Sequence, residues 1–259
     1  MQRKRSWSSL HSVEYYSSQA LILRVKDVGE SDLLVFFFTA DSGLRKGIAK
    51  GGRKSRKRFV NCLDHFCLSQ LEYHRKKENQ LFLLDSCKLI RAFEAVRTDY
   101  HLLALASYFA ELAEALFPLH VEADQMFHLL VQGLELLCQG EQPEKVRVFF
   151  EGRAMAIGGY AVNLTHCCGC GRTYKGEGRA VFVPEKGGIS CLGCRKESKR
   201  YPGMDPESVK VLAKIQDVKK KVAPQPDFTG KTGEELKRVL DQHVLYRLGK
   251  KLKSRKYLE

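Results

Sequence analysis

The first ninety residues alternate short apolar runs with turn-forming clusters, which is the pattern of β-strands joined by tight connections. Residues 19–26 (QALILRVK) are rich in Leu, Ile and Val and end at the turn signal DVGES. Residues 32–39 (DLLVFFFT) are apolar on both faces, and ADSG turns the chain into LRKGIAK, a third strand. Residues 65–74 (HFCLSQLEYH) and 80–90 (QLFLLDSCKLI) complete the set, with RKKEN as the hairpin connection between them. Five strands bounded by turns predict a small closed barrel, of which the OB-fold is the nucleic-acid-binding form.

The period changes near residue 97. Within residues 98–117, Leu102, Leu105, Ala106, Phe109, Leu112, Ala113 and Leu116 recur at three- and four-residue steps, which predicts a helix. Residues 124–140 repeat the pattern, and residues 143–159 open on Pro143 and stop at a Gly pair. These three helices predict a bundle. Residues 160–200 are Gly- and Cys-rich with neither long helix nor long strand. A helix is expected over 205–218, with Asp205 as N-cap and Pro206 in the first turn. One long helix is expected over 232–258, with Thr232 and Glu235 at capping-box spacing. The expected architecture is α+β. It has a disordered extension at 1–17, an OB-fold barrel at 18–92, and a helical domain at 93–259 carrying an insert at 160–200.

Charge divides the chain further. The net charge is +14, made up of +8 over residues 1–90, −5 over 91–165, +2 over 166–194 and +9 over 195–259. Two basic ends around an acidic middle point to a polyanionic partner for the ends and a scaffold role for the middle. The densest run is RKGIAKGGRKSRKRF, residues 45–59. It holds Arg45, Lys46, Lys50, Arg53, Lys54, Arg56, Lys57 and Arg58 with no carboxylate. Cations on a flexible, glycine-containing loop suit a phosphate backbone, so these eight are the candidate nucleic-acid-binding residues. Phe59, which ends the run, fits a barrel core position better than a base-stacking one. Lys250, Lys251, Lys253 and Arg255 are a candidate extension of the same path, weighed against a solvated helix end.

Nine cysteines are an odd number for a disulfide framework, and the long chain shows no apolar leader, so a reducing cytosol is expected. The basic, Ser-rich start has some likeness to a transit peptide, but a disordered tail is the simpler reading. No apolar run approaches the length of a membrane span. Cys167, Cys170, Cys191 and Cys194 follow the pattern C-x2-C, twenty residues, C-x2-C, which is the spacing of two zinc knuckles. Four thiolates fill a tetrahedral shell and leave no position for a catalytic water, so one structural zinc per chain is expected. Cys168 and His166 stand outside the pattern, and Cys62, Cys67, Cys87 and Cys138 sit on apolar faces as core fillers.

Signs of catalysis are weak. GIAKGGRKS misses the P-loop register because Arg53 intervenes before Lys54. HVE at 120–122 has the first element of a deaminase signature, but no Pro precedes either cysteine pair, and two cysteines would go unused. Asp27, Glu30, Asp32 and Asp41 crowd near one turn and read as solvated turn residues rather than a nuclease metal site. A binding protein is expected rather than an enzyme.

The barrel segment ALILRVKDVGESDLLVFFFTADSGLRKGIAKGGRKSRKRF, the four cysteines and the terminal LGKKLKSRKYL resemble the bacterial RecO DNA repair proteins from about residue 18 to the end. GESD, FT..SG and AKGGRK are the sharpest parts. The resemblance implies an OB-fold followed by a helical domain with an inserted zinc module. It also implies binding of single- and double-stranded DNA and strand annealing without ATP. Further, it implies action with RecR and single-stranded-DNA-binding protein to load the RecA recombinase in the bacterial cytoplasm, at the nucleoid. The first seventeen residues lie before the usual start of the family. The competing reading is an RNA-binding protein of translation or transcription, because OB-folds and zinc ribbons serve there too.

Overall fold

The computed structural model describes residues 13–75, 81–219, 224–228 and 230–258. The chain forms two compact units. One comprises the residues up to Ala92 together with Leu119–Asp124, and the other comprises Phe93–Pro118 and Gln125–Glu259.

The first unit is a closed barrel of β1 (Glu14–Val28), β2 (Asp32–Thr39), β3 (Gly43–Ala49), β4 (Leu68–Arg75) and β5 (Phe82–Arg91). The strand order is β1-β2-β3-β5-β4, with β4 pairing back onto β1. Every pair is antiparallel except β3 with β5. This is the OB-type barrel that the five apolar runs predict. Inward positions alternate along each strand, so Ala20, Ile22, Val35, Phe37, Leu71, Tyr73, Phe82 and Leu84 form one core. Phe59 is buried in the same core.

Two expectations change here. β1 begins at Glu14, so residues 14–17 pair with Glu72–Arg75 instead of belonging to a disordered extension. Their polar outer face hid them from a search for apolar runs. Residues 1–12 and 76–80, the latter including most of RKKEN, lie outside the described residues. β4 starts at Leu68, because Phe66 takes left-handed backbone (φ 61°) and breaks the strand predicted from residue 65.

The second unit holds α1 (Glu94–Thr98), α2 (Tyr100–Leu116), α3 (Asp124–Cys138), α4 (Pro143–Ile157), α5 (Pro206–Ile215) and α6 (Gly230–Leu248). The helix predicted at 98–117 is α2, which starts at Tyr100 because Asp99 caps it, its Oδ1 accepting from the backbone N–H of His101 (2.8 Å) and Leu102 (3.0 Å). The core is aromatic, with Phe109 stacked on Phe150 at 3.9 Å. A buried polar link joins three helices. Tyr108 donates to Glu151 (2.6 Å), and Arg147 bonds both Glu151 (2.9 Å) and Asp241 (2.6 Å).

The insert at 160–200 contains most of a four-stranded sheet: β6 (Asn163–Cys167), β7 (Ala180–Val183), β8 (Gly188–Cys191) and β9 (Gly203–Met204), in the order β6-β8-β7-β9. The closing helix is shorter than predicted. α6 stops at Leu248, Gly249 takes left-handed backbone (φ 65°), and Lys253–Tyr257 form a separate 3-10 turn. Glu111 holds that turn, accepting from the backbone N–H of Lys253 (2.8 Å) and Ser254 (2.7 Å). The capping-box reading of Thr232 and Glu235 also fails, because α6 already starts at Gly230. Glu235 is instead buried and accepts from Asp205 N (2.8 Å), Ser208 Oγ (2.6 Å) and Arg179 Nη1 (3.0 Å). Asp205 precedes α5 as expected, but its carboxylate goes to Arg179 and Lys231 rather than to the helix end.

Candidate nucleic-acid interface and metal centre

The basic loop leaves the end of β3 and is fixed at both ends. At its start, Asp32 on β2 accepts from Gly51 N through Oδ1 (2.9 Å) and binds Lys50 Nζ through Oδ2 (2.7 Å). Arg53 N donates to Ser31 O (3.0 Å). At its close, Arg58 Nη2 returns to Lys50 O (2.6 Å), and Ser55 Oγ accepts from the N–H of Arg58 and Phe59 (3.2 Å each). Phe59, sunk in the barrel core, anchors the exit. Lys50, Arg53, Lys54, Arg56, Lys57 and Arg58 are therefore held outward and exposed. Lys54, Arg56 and Lys57 have no ion-pair partner among the described residues, and Arg53 stands 3.6 Å from Asp27. The arrangement offers a dense cationic surface in which Lys50 and Arg58 help to hold the loop while the heads of Lys54, Arg56 and Lys57 are not used in it.

The structure separates the eight sequence candidates into six on the loop and two on the strand. Arg45 and Lys46 lie within β3 and are half-buried. Arg45 Nη1 meets His120 Nδ1 at 2.9 Å. The four acidic turn residues do not converge, since Asp32 and Asp27 face the loop cations and Asp41 accepts from Ser18 Oγ (2.8 Å). Asp32 was expected to be merely solvated, yet it positions the loop. The only sequence signal was an acid opening a strand directly beside the strand that feeds the basic run. Its carboxyl is held below the usual carboxylate range by Lys50 and then by the Gly51 N–H. A carboxyl lowered in the folded state contributes above its unfolded value and is lost as pH falls through the folded one, so the anchor releases in acid. Asp32→Ala is expected to speed hydrogen exchange at the Gly51 amide. It should also steepen the salt dependence of DNA binding by up to about 0.7, because Lys50 is freed. A flatter slope in that variant would contradict the anchor role.

Of the C-terminal candidates, Lys251, Lys253 and Arg255 line a groove of about 600 Å³ with Lys199, Arg238, Lys256, Asp241, Gln242, Leu245 and Leu252. Lys250 is exposed and does not line it. Arg255 is committed to Asp241 (2.9 Å). Lys199 and Arg238 escaped the sequence reading, because nothing local joins them to the terminal run.

Cys167, Cys170, Cys191 and Cys194 converge, with their sulfurs all within 4.8 Å of one another. Cys191 Sγ lies 3.8 Å from Cys167 Sγ and 4.0 Å from Cys170 Sγ. Burial pushes the Cys167 thiol up, but the Ser190 hydroxyl and the N–H groups of Cys170, Cys191 and Gly169 bring it down to about 5. Cys194, next to Cys191, Cys170 and Cys167, is pushed up to about 12. The cluster favours one thiolate and opposes four until a cation joins them, which is the donor set of a metal site. Gly169 is required there, because a Cβ would fall 2.9 Å from Cys194 Cβ. Cys168 is exposed and His166 turns to Thr165 Oγ1 (2.7 Å), so neither enters the cluster. No other such group of His, Cys, Asp and Glu exists among the described residues. Arg179, which also pairs with Glu197 inside the module (2.6 Å), fastens it to the start of α5 through Asp205 and to α6 through Glu235 (3.0 Å). Phe182 packs its ring on His243 of α6, centroids 5.5 Å apart.

Comparison with known proteins follows this division. Residues 13–93 match the family "Recombination protein O N terminal" and residues 97–256 match "Recombination protein O C terminal". The DNA repair protein RecO of Syntrophus aciditrophicus (strain SB) is 34% identical over 247 residues, covering 94% of this chain and 95% of its own length. The RecO of Anaeromyxobacter sp. (strain K) is 33% identical over 240 residues, covering 92% and 94%. That of Desulfatibacillum aliphaticivorans is 32% identical over 247 residues, covering 94% and 96%. With both halves matched in order and the relatives aligned over nearly their whole length, the chain belongs to the RecO family.

Proposed function

We propose that the chain is a recombination mediator of DNA repair that grips the DNA backbone with its β3–β4 loop. The observation that carries this is the loop itself, six exposed cations held outward on a stem fixed by Asp32, Ser55 and Phe59. Phosphate contacts carry no sequence information, so the loop suits single- and double-stranded DNA alike. Two strands so neutralised repel each other less while their bases stay free to pair, and annealing needs no nucleotide hydrolysis. The protein then acts as a binder and not as a catalyst.

Zinc is the metal that the cysteine cluster fits best. A Zn–S distance of about 2.3 Å in a tetrahedron places sulfurs about 3.8 Å apart, which agrees with the 3.8 and 4.0 Å separations. Its role is structural. Family membership further supports action with RecR and single-stranded-DNA-binding protein in loading RecA, in the bacterial cytoplasm at the nucleoid. The C-terminal groove, with its cations and the apolar Leu245 and Leu252, suits the acidic tail of the single-stranded-DNA-binding protein.

The deciding experiment is a salt-titrated comparison of single-stranded DNA, double-stranded DNA and RNA, with annealing scored without ATP and a crosslinkable acidic tail peptide added in parallel. The expected result is sequence-independent DNA binding, annealing, and crosslinks near Lys251 and Lys253. Binding of structured RNA alone would overturn the DNA reading. Crosslinks confined to the barrel would overturn the groove assignment.

A further inference from the structure

The connector between α2 and α3 completes part of the barrel. Leu119–Asp124 belongs to the barrel unit. His120 N donates to Leu44 O (3.2 Å). Gly43, with φ 62°, approaches so closely that a Cβ would fall 1.9 Å from the Val121 carbonyl oxygen. His120 takes left-handed backbone (φ 71°), which His tolerates better than most side chains. This is the HVE segment, which reads in the sequence as a plain loop.

The connector delivers an imidazole to the start of β3. A guanidinium only donates, so His120 Nδ1 accepts from Arg45 and the neutral ring carries its proton on Nε2. His120 is exposed, which leaves that N–H open to solvent. Arg45 also donates to Leu44 O (3.4 Å). Neither Arg45 nor Lys46 has an ion-pair partner among the described residues. The other charges at this end of the barrel are engaged. Arg75 on β4 holds Glu14 (2.6 Å), which also accepts from Tyr16 (2.7 Å), and Asp41 takes the Ser18 hydroxyl. Arg45 and Arg75 both face the Phe82 ring, at 5.8 and 5.4 Å. Burial, and then Arg45, Arg75 and Lys46, hold the His120 ring below its ordinary value, so the field at the ring is positive.

We propose that Arg45 and His120 form a phosphodiester-binding subsite at one end of the barrel, separate from the basic loop. The proposal rests on the DNA-binding reading. Lys50 lies one residue past the end of β3 and five residues, about 17 Å of strand, from Arg45, so a strand leaving the loop along β3 reaches this end of the barrel within a few nucleotides. At neutral pH the ring donates Nε2–H to a phosphate oxygen beside Arg45. The arriving negative charge favours protonation of the ring. One proton is then taken from solvent, Nδ1 becomes a donor, and Arg45 is released to turn to the phosphate. The ring's pKa is low when free and higher when bound, so binding tightens as pH falls through the bound value and levels off below the free one.

The test uses the full chain and an oligo-dT strand. The His120 ring is titrated by NMR with and without the strand, and affinity is measured at about pH 5.5 and 7.5 for the wild type and His120→Gln. The expected rise of about one pKa unit on binding corresponds to a gain in affinity of up to about tenfold, complete only below the free pKa. His120→Gln, whose side chain does not titrate, should lose most of that gain, so that its affinity differs little between the two pH values. If the strand binds while the His120 titration is unmoved, or if His120→Gln keeps the wild-type pH profile, the subsite is overturned and the DNA reading stands. If the strand does not bind, both fall.

Discussion

Changing Arg53, Lys54, Arg56 and Lys57 together to alanine is expected to flatten the plot of log K against log salt by roughly three units on single-stranded DNA. Each lost phosphate contact removes about 0.7. If the two proteins converge near molar salt, the same arithmetic lowers affinity at about 0.1 M by two to three powers of ten. The loss should be equal for all sequences, and annealing should fail with it. The fold should survive, because these heads are exposed and the stem depends on Asp32, Ser55 and Phe59, none of which is changed. Fluorescence anisotropy across a salt series, with circular dichroism as the folding check, measures all of this. An unchanged slope in a folded variant would mean that the loop touches something other than DNA.

Loss of the metal should produce the second large effect, on stability and not on DNA. Elemental analysis is expected to find about one zinc per chain, as a single four-thiolate site requires. Cys167→Ser or Cys194→Ser, or a chelator, should abolish it. In small zinc peptides the metal supplies on the order of 10 kcal/mol of folding free energy at neutral pH. Here Ala180–Val183 stay buried, with Phe182 against α6, so part of the module has other support. The expected outcome is a lower melting temperature, poorer solubility and new proteolytic cuts near the two knuckles. DNA affinity per folded molecule should stay within about twofold, because no phosphate contact is removed. Metal binding needs deprotonated thiols, so metal should also leave as pH falls. A metal-free chain with wild-type melting and protease resistance would refute the structural role.

The sequence was most readable where a single period governs a whole element. The continuous apolar run of DLLVFFFT and the three-four spacing over residues 98–117 gave β2 and α2 nearly to the residue, because burial sets both patterns. It was least readable where the deciding partner lies far along the chain. Glu235 has the spacing of a cap but answers to Arg179, fifty-six residues away in sequence. Gly249 alone would cost a helix only about 1 kcal/mol, and it is Glu111 on α2 that holds the last turn in its separate path. The strands of the metal module are two to five residues long, too short for any period to show. At the candidate sites, the cysteines were legible because coordination fixes their spacing. The loop cations were legible because charge density needs no fold to be seen. Asp32 and His120 were not, since each acts only through a neighbour that the fold supplies.

Because Leu119–Asp124 is built into the barrel against Gly43 and Leu44, the N-terminal half is not a severable module. A chain emerging from the ribosome can pair all five strands by residue 91, yet the Leu44 carbonyl lacks the His120 N–H until the connector has been made. The barrel is therefore finished only after α2 has been made, and the two halves mature in an interleaved order. A fragment cut at the family boundary near residue 93 would carry an unfinished seam at β3, the strand that presents its basic loop.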